Sequence, residues 1–361
     1  MSEQQADALS RNPLVRWIED DVSGSVTGTQ TPTPSWGLDR IDQRLLPLDN
    51  TYNYAFTGSG VIAYLVDTGV TIRTDFGGRV IDRENFVSFN DQAPNPYDDC
   101  YGHGTQVAGI VGGTTYGVAK NVGLISVRVY PCQGWQPQVT DWIAGIDWAT
   151  GDFLNRRNAN PNCAQFGSGC QQAVMNISLS AAAINTSLDT AVINAIGDGI
   201  TVVVGAGNNR QDACLESPAH LGNPTGANAY SPNPNGYSTI TVGATTQADH
   251  RWDWGYPGAG SNFGQCVDIF APGENVTTLS STDNGVTFSG TSAAAPHVTG
   301  GAALFMEQNA SATPALPAAS IEGIIKDNAT ANVLNSDIQP GSPNLLLYNH
   351  IVRHRGCCTA Q

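Results

Sequence analysis

The stretch VIAYLVDTG (61–69) decides the fold. Its apolar run, from Val61 to Val66, predicts a strand buried on both faces of a sheet. Asp67 ends that run, and a carboxylate closing a buried strand is costly unless it is paired or hydrogen-bonded. Gly69 lets the backbone turn there. If His103 pairs with one oxygen of the carboxylate, the Thr68 and Gly69 amides are candidates to hold the other. We therefore expect Asp67 to have a partner at the end of a central strand.

Short runs rich in valine and isoleucine alternate with helical patterns beyond this point. The further predicted strands are Val122–Val129, Ala173–Leu179, Thr201–Gly205, Thr239–Ala244 and Val267–Phe270. The predicted helices are Gly104–Val111, Val139–Phe153, Leu188–Gly197 and Ser292–Gln308. This alternation predicts a three-layer α/β fold, in which helices cover both faces of a central, mostly parallel sheet. Sites in such sheets form at the carboxyl ends of the strands.

Composition excludes several classes of function. The chain has 361 residues, 40% of them hydrophobic, which is ample for a core. No stretch approaches the roughly 18 continuous apolar residues of a membrane helix, so no membrane partner is expected. The 16 Lys and Arg residues against 31 Asp and Glu give a net charge of −15, which argues against a nucleic-acid partner because phosphate binding needs a basic face. The acidity indicates either simple solubility or carboxylates that hold calcium.

The cysteines indicate an oxidising compartment. Eight cysteines lack the Cys-x-x-Cys spacing of zinc sites, which favours disulfides over metal binding. We therefore expect a secreted, extracellular protein. The first residues, MSEQQ (1–5), carry no apolar signal-peptide core, so we expect this terminus to be truncated or reassigned.

Three short motifs bring together the residue types of nucleophilic catalysis. Asp67 stands in VDTG (66–69), His103 in GHGT (102–105) and Ser292 in SGTSAAAPH (289–297). A serine hydroxyl is a poor nucleophile until a histidine can take its proton, and that histidine needs a carboxylate to fix its tautomer. The order Asp, His, Ser along the chain is that of subtilisin. The motifs therefore predict a serine endopeptidase.

Each of these residues also has a simpler interpretation. Ser292 can be the N-cap of an apolar helix that has Pro296 in its first turn, and His103 an ordinary capping histidine. Asn208, in GAGNN (205–209), can be a plain turn residue, a role for which Asn209 is the better candidate. The joint occurrence of the motifs favours the catalytic interpretation, in which Asn208 donates a hydrogen bond to an oxyanion.

The chain resembles subtilisin-family serine proteases of the proteinase K group, especially the aqualysin-type bacterial extracellular enzymes. The match covers nearly all of residues 30–349, from WGLDRIDQR (36–44) to SPNLLLY (342–348), and includes YGVAK (116–120) and DIFAPG (268–273). It implies a subtilisin-like fold.

The resemblance also divides the chain. It implies that residues 1–28 are the remnant of an inhibitory propeptide and linker, that 29–351 form the peptidase domain, and that 352–361 are a C-terminal tail. The implied partners are protein and peptide substrates and the protein's own propeptide as inhibitor, and we expect a monomer.

The resemblance assigns roles in peptide hydrolysis through an acyl-enzyme. Ser292 attacks, His103 shuttles the proton, Asp67 orients His103, and Asn208 with the Ser292 amide forms the oxyanion hole. Substrate lies as an added strand, with Ser180, Ala181, Ala206 and Gly207 around the S1 pocket. The implied substrate-binding residues are Gly134, Ser178, Leu179, Ser180, Ala181, Ala206 and Gly207.

Calcium is the implied cofactor, in a structural role. The residues that match an aqualysin-type site are Asp39, Asp42, Gln43, Asp49 and Thr51, and Asp268 matches a second site. Oxygen ligands of this kind suit a hard cation. Without the resemblance, Asp39 and Asp42 would be interpreted as a solvated helix start.

The cysteine pairs Cys100–Cys132 and Cys214–Cys266 fall where aqualysin-type enzymes have disulfides. Each closes a loop of tens of residues, worth roughly 3–4 kcal/mol. Cys163 and Cys170 are expected to pair locally within an insertion. The adjacent Cys357 and Cys358 would form a strained vicinal bridge, so free or intermolecular thiols are the alternative.

The sequence departs from the family beside the nucleophile and at the rims of the cleft. Ala293 replaces the usual methionine, which predicts resistance to peroxide. Gln106 replaces a histidine without evident effect on the triad. The segment SAA (180–182) replaces a glycine-rich edge, and Trp135 with Gln136 replaces small residues opposite, so subsite preference is open. A hydrophobic side chain before the scissile bond is the working hypothesis.

Two other classes of function are less consistent with the motifs. A catalytically impaired, subtilase-like binding protein would show a broken triad or a lost oxyanion donor, and the motifs show neither. An esterase or lipase would carry Gly-x-Ser-x-Gly, whereas the motif here is GTSAA (290–294).

Overall fold

The computed structural model describes residues 28–88, 91, 93–132, 137–159, 172–223, 235–255, 258–282, 284–310 and 317–349. Its helices are α1 Trp36–Ile41, α2 His103–Gly112, α3 Val139–Ala159, α4 Thr186–Gly197, α5 Thr291–Gln308 and α6 Ala318–Asn328. Its strands are β1 Gly28–Gln30, β2 Tyr52–Tyr54, β3 Ile62–Asp67, β4 Val80–Asn85, β5 Gly123–Arg128, β6 Ala173–Ile177, β7 Ile200–Gly205, β8 Ile240–Thr245, β9 Ile269–Pro272, β10 Val276–Leu279, β11 Gly285–Phe288, β12 Thr330–Ala331 and β13 Leu345–Leu346.

The predicted three-layer α/β architecture is confirmed. Across the described residues the central sheet has nine strands in the order β12-β13-β9-β8-β7-β6-β3-β5-β4. Every pair in it is parallel except β12 with β13. The register sets Val66 of β3 beside Ile177 of β6. The carboxyl ends of these two strands therefore bring Asp67 and Ser178 to the same edge.

Two hydrophobic clusters lie on opposite faces of the sheet. One contains Val107 of α2, Val298 of α5 and Ile321 of α6, and the other contains Ile146 of α3 and Val192 of α4. The inner strands β6 and β7 are buried at every residue, which explains their continuous apolar sequence. Helix α5 is likewise buried from Thr291 to Met306, so the helix that carries Ser292 is part of the core.

The predicted elements match the observed ones to within a few residues, with two informative differences. Strand β4, Val80–Asn85, was not predicted, because an edge strand with charged side chains lacks an apolar run. The simpler interpretation of Ser292, as the N-cap of its helix, is wrong. Helix α5 begins at Thr291 after the cap Gly290, so Ser292 is its second residue and Pro296 lies beyond the first turn.

Candidate active site

Asp67 and His103 meet at the carboxyl end of the sheet. Asp67 is the last residue of β3, and His103 is the first residue of α2. His103 Nδ1 lies 2.6 Å from Asp67 Oδ1, which also accepts a hydrogen bond from the Thr68 amide at 2.7 Å. The expected use of Thr68 for the other carboxylate oxygen is therefore wrong. Within the described part of the chain, Asp67 Oδ2 has no hydrogen-bond partner.

Asp99 organises the turn that leads into α2. Its Oδ1 accepts hydrogen bonds from the Gly102 amide at 2.8 Å and the Thr68 hydroxyl at 2.8 Å. Its Oδ2 accepts from the Thr105 amide at 2.8 Å. These bonds satisfy amides at the helix start that have no partner inside the helix, and they join that start to the end of β3. Asp99 therefore fixes where His103 stands relative to Asp67.

Gly104 is required by the close approach of α2 to β3. A β-carbon at this position would collide with the Gly69 carbonyl oxygen and would lie 3.1 Å from Asp67 Oδ1. No side chain fits there without moving backbone. The glycine beside His103 therefore allows the imidazole to reach the carboxylate.

Ser292 is held by an exchange of hydrogen bonds with Ser178. The Ser292 hydroxyl donates to the Ser178 carbonyl at 3.1 Å, and the Ser178 hydroxyl donates to the Ser292 carbonyl at 3.3 Å. The Ser292 carbonyl would ordinarily accept from the amide four residues later, but that residue is Pro296, which has no amide hydrogen. Among the described hydrogen bonds none joins His103 to Ser292, because the Ser292 hydroxyl donates to Ser178 and the imidazole pairs with Asp67.

Asn208 faces the start of α5. Its Oδ1 accepts from the Thr291 amide at 2.8 Å and from the Thr291 hydroxyl at 3.0 Å. Because the oxygen is used in this way, the Nδ2 group is free to donate. Neither Asn208 Nδ2 nor the Ser292 amide donates to any residue that the structure describes. Two unused donors, Asn208 Nδ2 and the Ser292 amide, are therefore available at the start of α5.

Charge and burial shift the pKa values of His103 and His297 in opposite directions. Burial disfavours the charged form of His103, but the Asp67 carboxylate and its hydrogen bond favour that form more, so the pKa of His103 lies above its ordinary 6.5. The side chain of His103 is 28% exposed, which leaves it open to the cleft. His297 is fully enclosed, and burial lowers its pKa to about 4 despite a hydrogen bond to the Ala293 carbonyl. His297 is therefore neutral and structural.

The residues implied to bind substrate lie on two segments near Ser292. Ser178, Leu179, Ser180 and Ala181 follow β6 directly, and the Ala181 amide donates to the Ser217 carbonyl at 2.8 Å. Ala206 and Gly207 follow β7 and lead into Asn208. Gly134, with the departures Trp135 and Gln136, lies outside the described residues. The two described segments face each other across neighbouring strands.

The first implied calcium site fits a hard cation. Asp42 Oδ1 is a buried oxygen with no hydrogen-bond partner in the described residues. Burial, together with the charges of Asp39 and Asp49, raises the pKa of Asp42 to about 7, although hydrogen bonds from Asn53 oppose the rise. The Gln43 amide donates to the Pro47 carbonyl at 2.9 Å, which leaves its oxygen as a possible ligand, and Thr51 donates its amide to Asp49 at 2.9 Å. The described residues contain no cluster of three or more acidic, His or Cys side chains able to hold a metal alone, so carbonyl oxygens would have to complete the site.

Asp268 does not fit a second calcium. Its Oδ1 lies 2.8 Å from Lys326 Nζ, and its Oδ2 accepts from the Thr241 amide at 2.9 Å. The Lys326 ammonium already supplies the positive charge that a cation would bring. Burial raises the pKa of Asp268 to about 7, and Glu322 raises it while Lys326 lowers it.

Two disulfides join loops around the site. Cys100 bonds to Cys132, and Cys214 bonds to Cys266, with Cα separations of 5.6 and 5.3 Å. The first closes the turn that contains Asp99. The positions of Cys163, Cys170, Cys357 and Cys358 lie outside the described residues.

Sequence reasoning missed three residues that shape the site: Asp99, Thr291 and Glu216. Asp99 had a usable signal, since a carboxylate three residues before Gly102 resembles a residue that caps a helix start. Thr291 was quoted only as part of the nucleophile motif, although its amide orients Asn208. Glu216 had no recognisable motif, although its partners Asn209 and Gln211 lie only seven and five residues away after the same strand.

The geometry of the site indicates a class of enzyme. A parallel α/β sheet ending in an Asp–His pair, beside a serine at the start of a buried helix, is the arrangement of a serine hydrolase. The comparisons with known proteins specify this class. The family model described as the subtilase family, Peptidase S8, matches residues 58–345.

Curated relatives agree over most of the chain. An extracellular serine proteinase from Thermus sp. (strain Rt41A) is 42% identical over 96% of this chain and 73% of its own length. An alkaline serine exoprotease A from Vibrio alginolyticus is 38% identical over 97% of this chain and 57% of its own length. The crystal structure of a cold-adapted subtilisin-like serine proteinase has a TM-score of 0.69 and 39% identity, covering 88% of this chain and 98% of that one.

The chain therefore belongs to the subtilase family of peptidases. It is a serine-type endopeptidase, a hydrolase, and its fold is subtilisin-like. Within the described residues, every helix is too short or too polar to cross a membrane.

Proposed function

We propose that the protein is a secreted endopeptidase of broad specificity that hydrolyses peptide bonds through an acyl-enzyme on Ser292. The observation that carries the proposal is the 2.6 Å contact between His103 Nδ1 and Asp67 Oδ1, at the strand end next to Ser292. This contact fixes the tautomer in which Nε2 is free to accept a proton. The extracellular relatives support the proposal of secretion.

The first half-reaction forms the acyl-enzyme. The Ser292 hydroxyl turns from Ser178 toward the imidazole, gives its proton to His103 Nε2 and bonds to the substrate carbonyl carbon. Asp67 stabilises the imidazolium that results. The carbonyl oxygen becomes negative and receives hydrogen bonds from Asn208 Nδ2 and the Ser292 amide. His103 then gives its proton to the leaving amine, and the peptide bond breaks.

The second half-reaction releases the product. Water gives a proton to His103 and attacks the acyl carbon, and the same two donors stabilise the new oxyanion. The bond to Ser292 Oγ then breaks as His103 returns the proton to it. Both steps use the amide at the start of α5, where the helix dipole also favours negative charge.

Substrate is proposed to lie as an added strand along residues 178–180, with Gly134 on its other side. Residues 1–28 are proposed to be the remnant of an inhibitory propeptide and linker, 29–351 the peptidase domain and 352–361 a tail. Structural calcium is proposed at Asp42, with Asp39, Gln43, Asp49 and Thr51 around it; it would neutralise the mutual repulsion of these carboxylates. We propose a monomer.

The test is covalent labelling with a serine-reactive phosphonyl fluoride, with N-terminal sequencing of the protein. The proposal expects one label per molecule, on Ser292, parallel loss of peptide hydrolysis, and a mature start near Thr27–Gln30. The His103→Ala variant should label at least about a thousand-fold more slowly. Labelling at another residue, or hydrolysis that survives Ser292→Ala, would contradict the proposal. In the catalytically impaired alternative, the wild-type protein would bind peptides without labelling.

A further inference from the structure

Glu216 lies where the two walls of the proposed S1 pocket come together. It follows the short 3₁₀ turn Ala213–Leu215, and the next residue, Ser217, accepts the amide hydrogen of Ala181 from one wall. On the other wall, Glu216 Oε2 lies against Gly207, in the space that a β-carbon on Gly207 would occupy. Glu216 therefore adjoins both segments that are implied to form the pocket.

Only one of the two carboxylate oxygens of Glu216 accepts hydrogen bonds from the described residues. Its Oε1 accepts hydrogen bonds from Asn209 Nδ2 at 2.6 Å and from Gln211 Nε2 at 2.7 Å. Its Oε2 has no hydrogen-bond partner among the described residues, and the whole side chain is 0% exposed. The two amides fix the carboxylate in place while its second oxygen stays directed at Gly207.

No described cation balances this charge. Arg210, a near neighbour in sequence, forms its ion pair with Asp253 at 2.9 Å, and none of the described ion pairs includes Glu216. A buried carboxylate without a counter-charge is unfavourable, and its field is weakly screened because water is excluded. A positive charge that enters the pocket would therefore be attracted strongly.

Resting on the proposed function, we propose that Glu216 is a specificity-determining residue of the S1 pocket and selects substrates with lysine or arginine before the scissile bond. The walls suit such side chains, because Ala181, Ala206 and Gly207 are small enough to pass an unbranched aliphatic stem. The stem contacts the walls, and the charged end approaches Glu216 Oε2. This inference narrows the broad specificity of the proposed function and replaces the hydrophobic preference expected from the sequence.

Gly207 lies between Glu216, which is proposed to select the substrate, and Asn208, which is proposed to stabilise the oxyanion. Its backbone has a φ of 99°, a region that favours glycine, and the next residue is Asn208. A side chain at residue 207 would displace Glu216 and fill the pocket at once. The same loop therefore carries an oxyanion donor on one side and the edge of the acidic pocket on the other.

The experiment uses the full chain and a set of fluorogenic peptides that differ only in the residue before the scissile bond: lysine, arginine, norleucine and phenylalanine. Norleucine matches the lysine stem without its charge. The variants are Glu216→Gln, which keeps an oxygen for the Asn209 and Gln211 amides, and Asp327→Asn, which removes one charge at an exposed residue of α6. The quantity compared is the ratio of kcat/KM for lysine to kcat/KM for norleucine.

We expect this ratio to exceed about 10 in the wild-type protein and to fall at least about ten-fold in Glu216→Gln, while Asp327→Asn keeps the wild-type ratio. A ratio below one in the wild type, or one unchanged by Glu216→Gln, would overturn the inference and leave the proposed function standing. If no peptide is cleaved and Ser292 does not label, the proposed function fails instead.

A second measurement needs no variant. Benzamidine, a flat cation, should inhibit wild-type cleavage of the norleucine peptide competitively, at least about ten-fold more strongly than neutral benzamide. Equal inhibition by the two compounds would overturn the inference even if Glu216→Gln fails to fold.

Discussion

The hydroxyl of Ser178 donates to the carbonyl of Ser292 because Pro296 cannot. A proline inside a helix removes the amide that would satisfy the carbonyl four residues earlier. Here that carbonyl belongs to Ser292, the proposed nucleophile, and the replacement donor comes from the residue that follows β6. The proline thus ties the first turn of α5 to the strand that borders the cleft.

This relationship predicts a stability effect at Ser178. In a Ser292→Ala background, which prevents self-digestion and keeps the carbonyl, Ser178→Ala should lower the free energy of unfolding by about 1–2 kcal/mol, because it leaves a buried carbonyl unpaired. In a Pro296→Ala background the new amide supplies the missing donor, so the cost should fall. Urea unfolding of the four combinations measures both costs. Equal costs with and without Pro296 would show that the hydroxyl does not compensate for the proline.

The raised pKa of His103 predicts the pH dependence of activity. The imidazole must be neutral to accept the serine proton, so kcat/KM should rise with pH through a pKa above 6.5. Asp67→Asn removes the charge that favours imidazolium. In this variant the pH at which kcat/KM rises should therefore be lower, and kcat should fall by about ten thousand-fold. The pH profile of the variant's residual ester hydrolysis measures this shift. If activity rises at the same pH as in the wild type, the pairing of His103 with Asp67 is contradicted.

The same pKa has a consequence for stability. Because the pKa of His103 is higher in the folded than in the unfolded state, the pair contributes stability that is full below the unfolded pKa and lost as pH rises through the folded one. Asp67→Asn should therefore destabilise the protein more at pH 5 than at pH 9. Thermal unfolding in the Ser292→Ala background, with Asp327→Asn as the charge control, gives the comparison.

Asn208 predicts a loss confined to the transition state. Asn208→Ala removes one of the two donors beside Ser292, so kcat should fall about 100- to 1000-fold with little change in KM. Asn158→Ala, at an exposed residue of α3, is the matched control. A rise in KM at constant kcat would instead show that Asn208 binds ground-state substrate.

Ala293 and the burial of the two methionines in the described residues predict resistance to peroxide. Met175 and Met306 are buried at 0% and 2% exposure, and the residue after Ser292 carries no sulfur. Activity should therefore survive peroxide that inactivates a family member with methionine at this position. Residual activity and peptide mapping after exposure measure this, and a rapid loss traced to the active site would contradict the prediction.

Calcium binding predicts a stability effect confined to the first site. In the Ser292→Ala protein, chelation should lower Tm by roughly 5 °C or more relative to saturating calcium. Asp42→Asn should abolish this response, whereas Asp268→Asn should retain it, because Lys326 already pairs with Asp268. A calcium response that is lost in Asp268→Asn would contradict the assignment.

Much of the fold could be predicted because its inner strands are continuous apolar runs. The run ending at Asp67 predicted both a central strand and a paired carboxylate, and the structure has both. Strand β4 could not be predicted in this way, because its pairing with β5 comes from backbone hydrogen bonds and its side chains are polar.

In the site, short motifs predicted the residues that adjoin sharp turns. They did not predict contacts between distant segments. Lys326 reaches Asp268 from a helix 58 residues further along the chain. Glu216 and Gly207 lie in one irregular loop after β7, whose course no periodic pattern predicts. The side chains that would line a substrate pocket depend on such contacts, so short motifs predict a class of hydrolase more readily than its substrate preference.

The burial of α5 from Thr291 to Met306 has a consequence for how the protein loses activity. A nucleophile on a surface loop can be disabled by local opening while the core persists. Here the serine is anchored in the core, so disturbing it requires the opening of the layer that packs on the sheet. The half-life of activity at high temperature should therefore equal the half-life of the folded state, which makes this enzyme a reporter of its own unfolding rate.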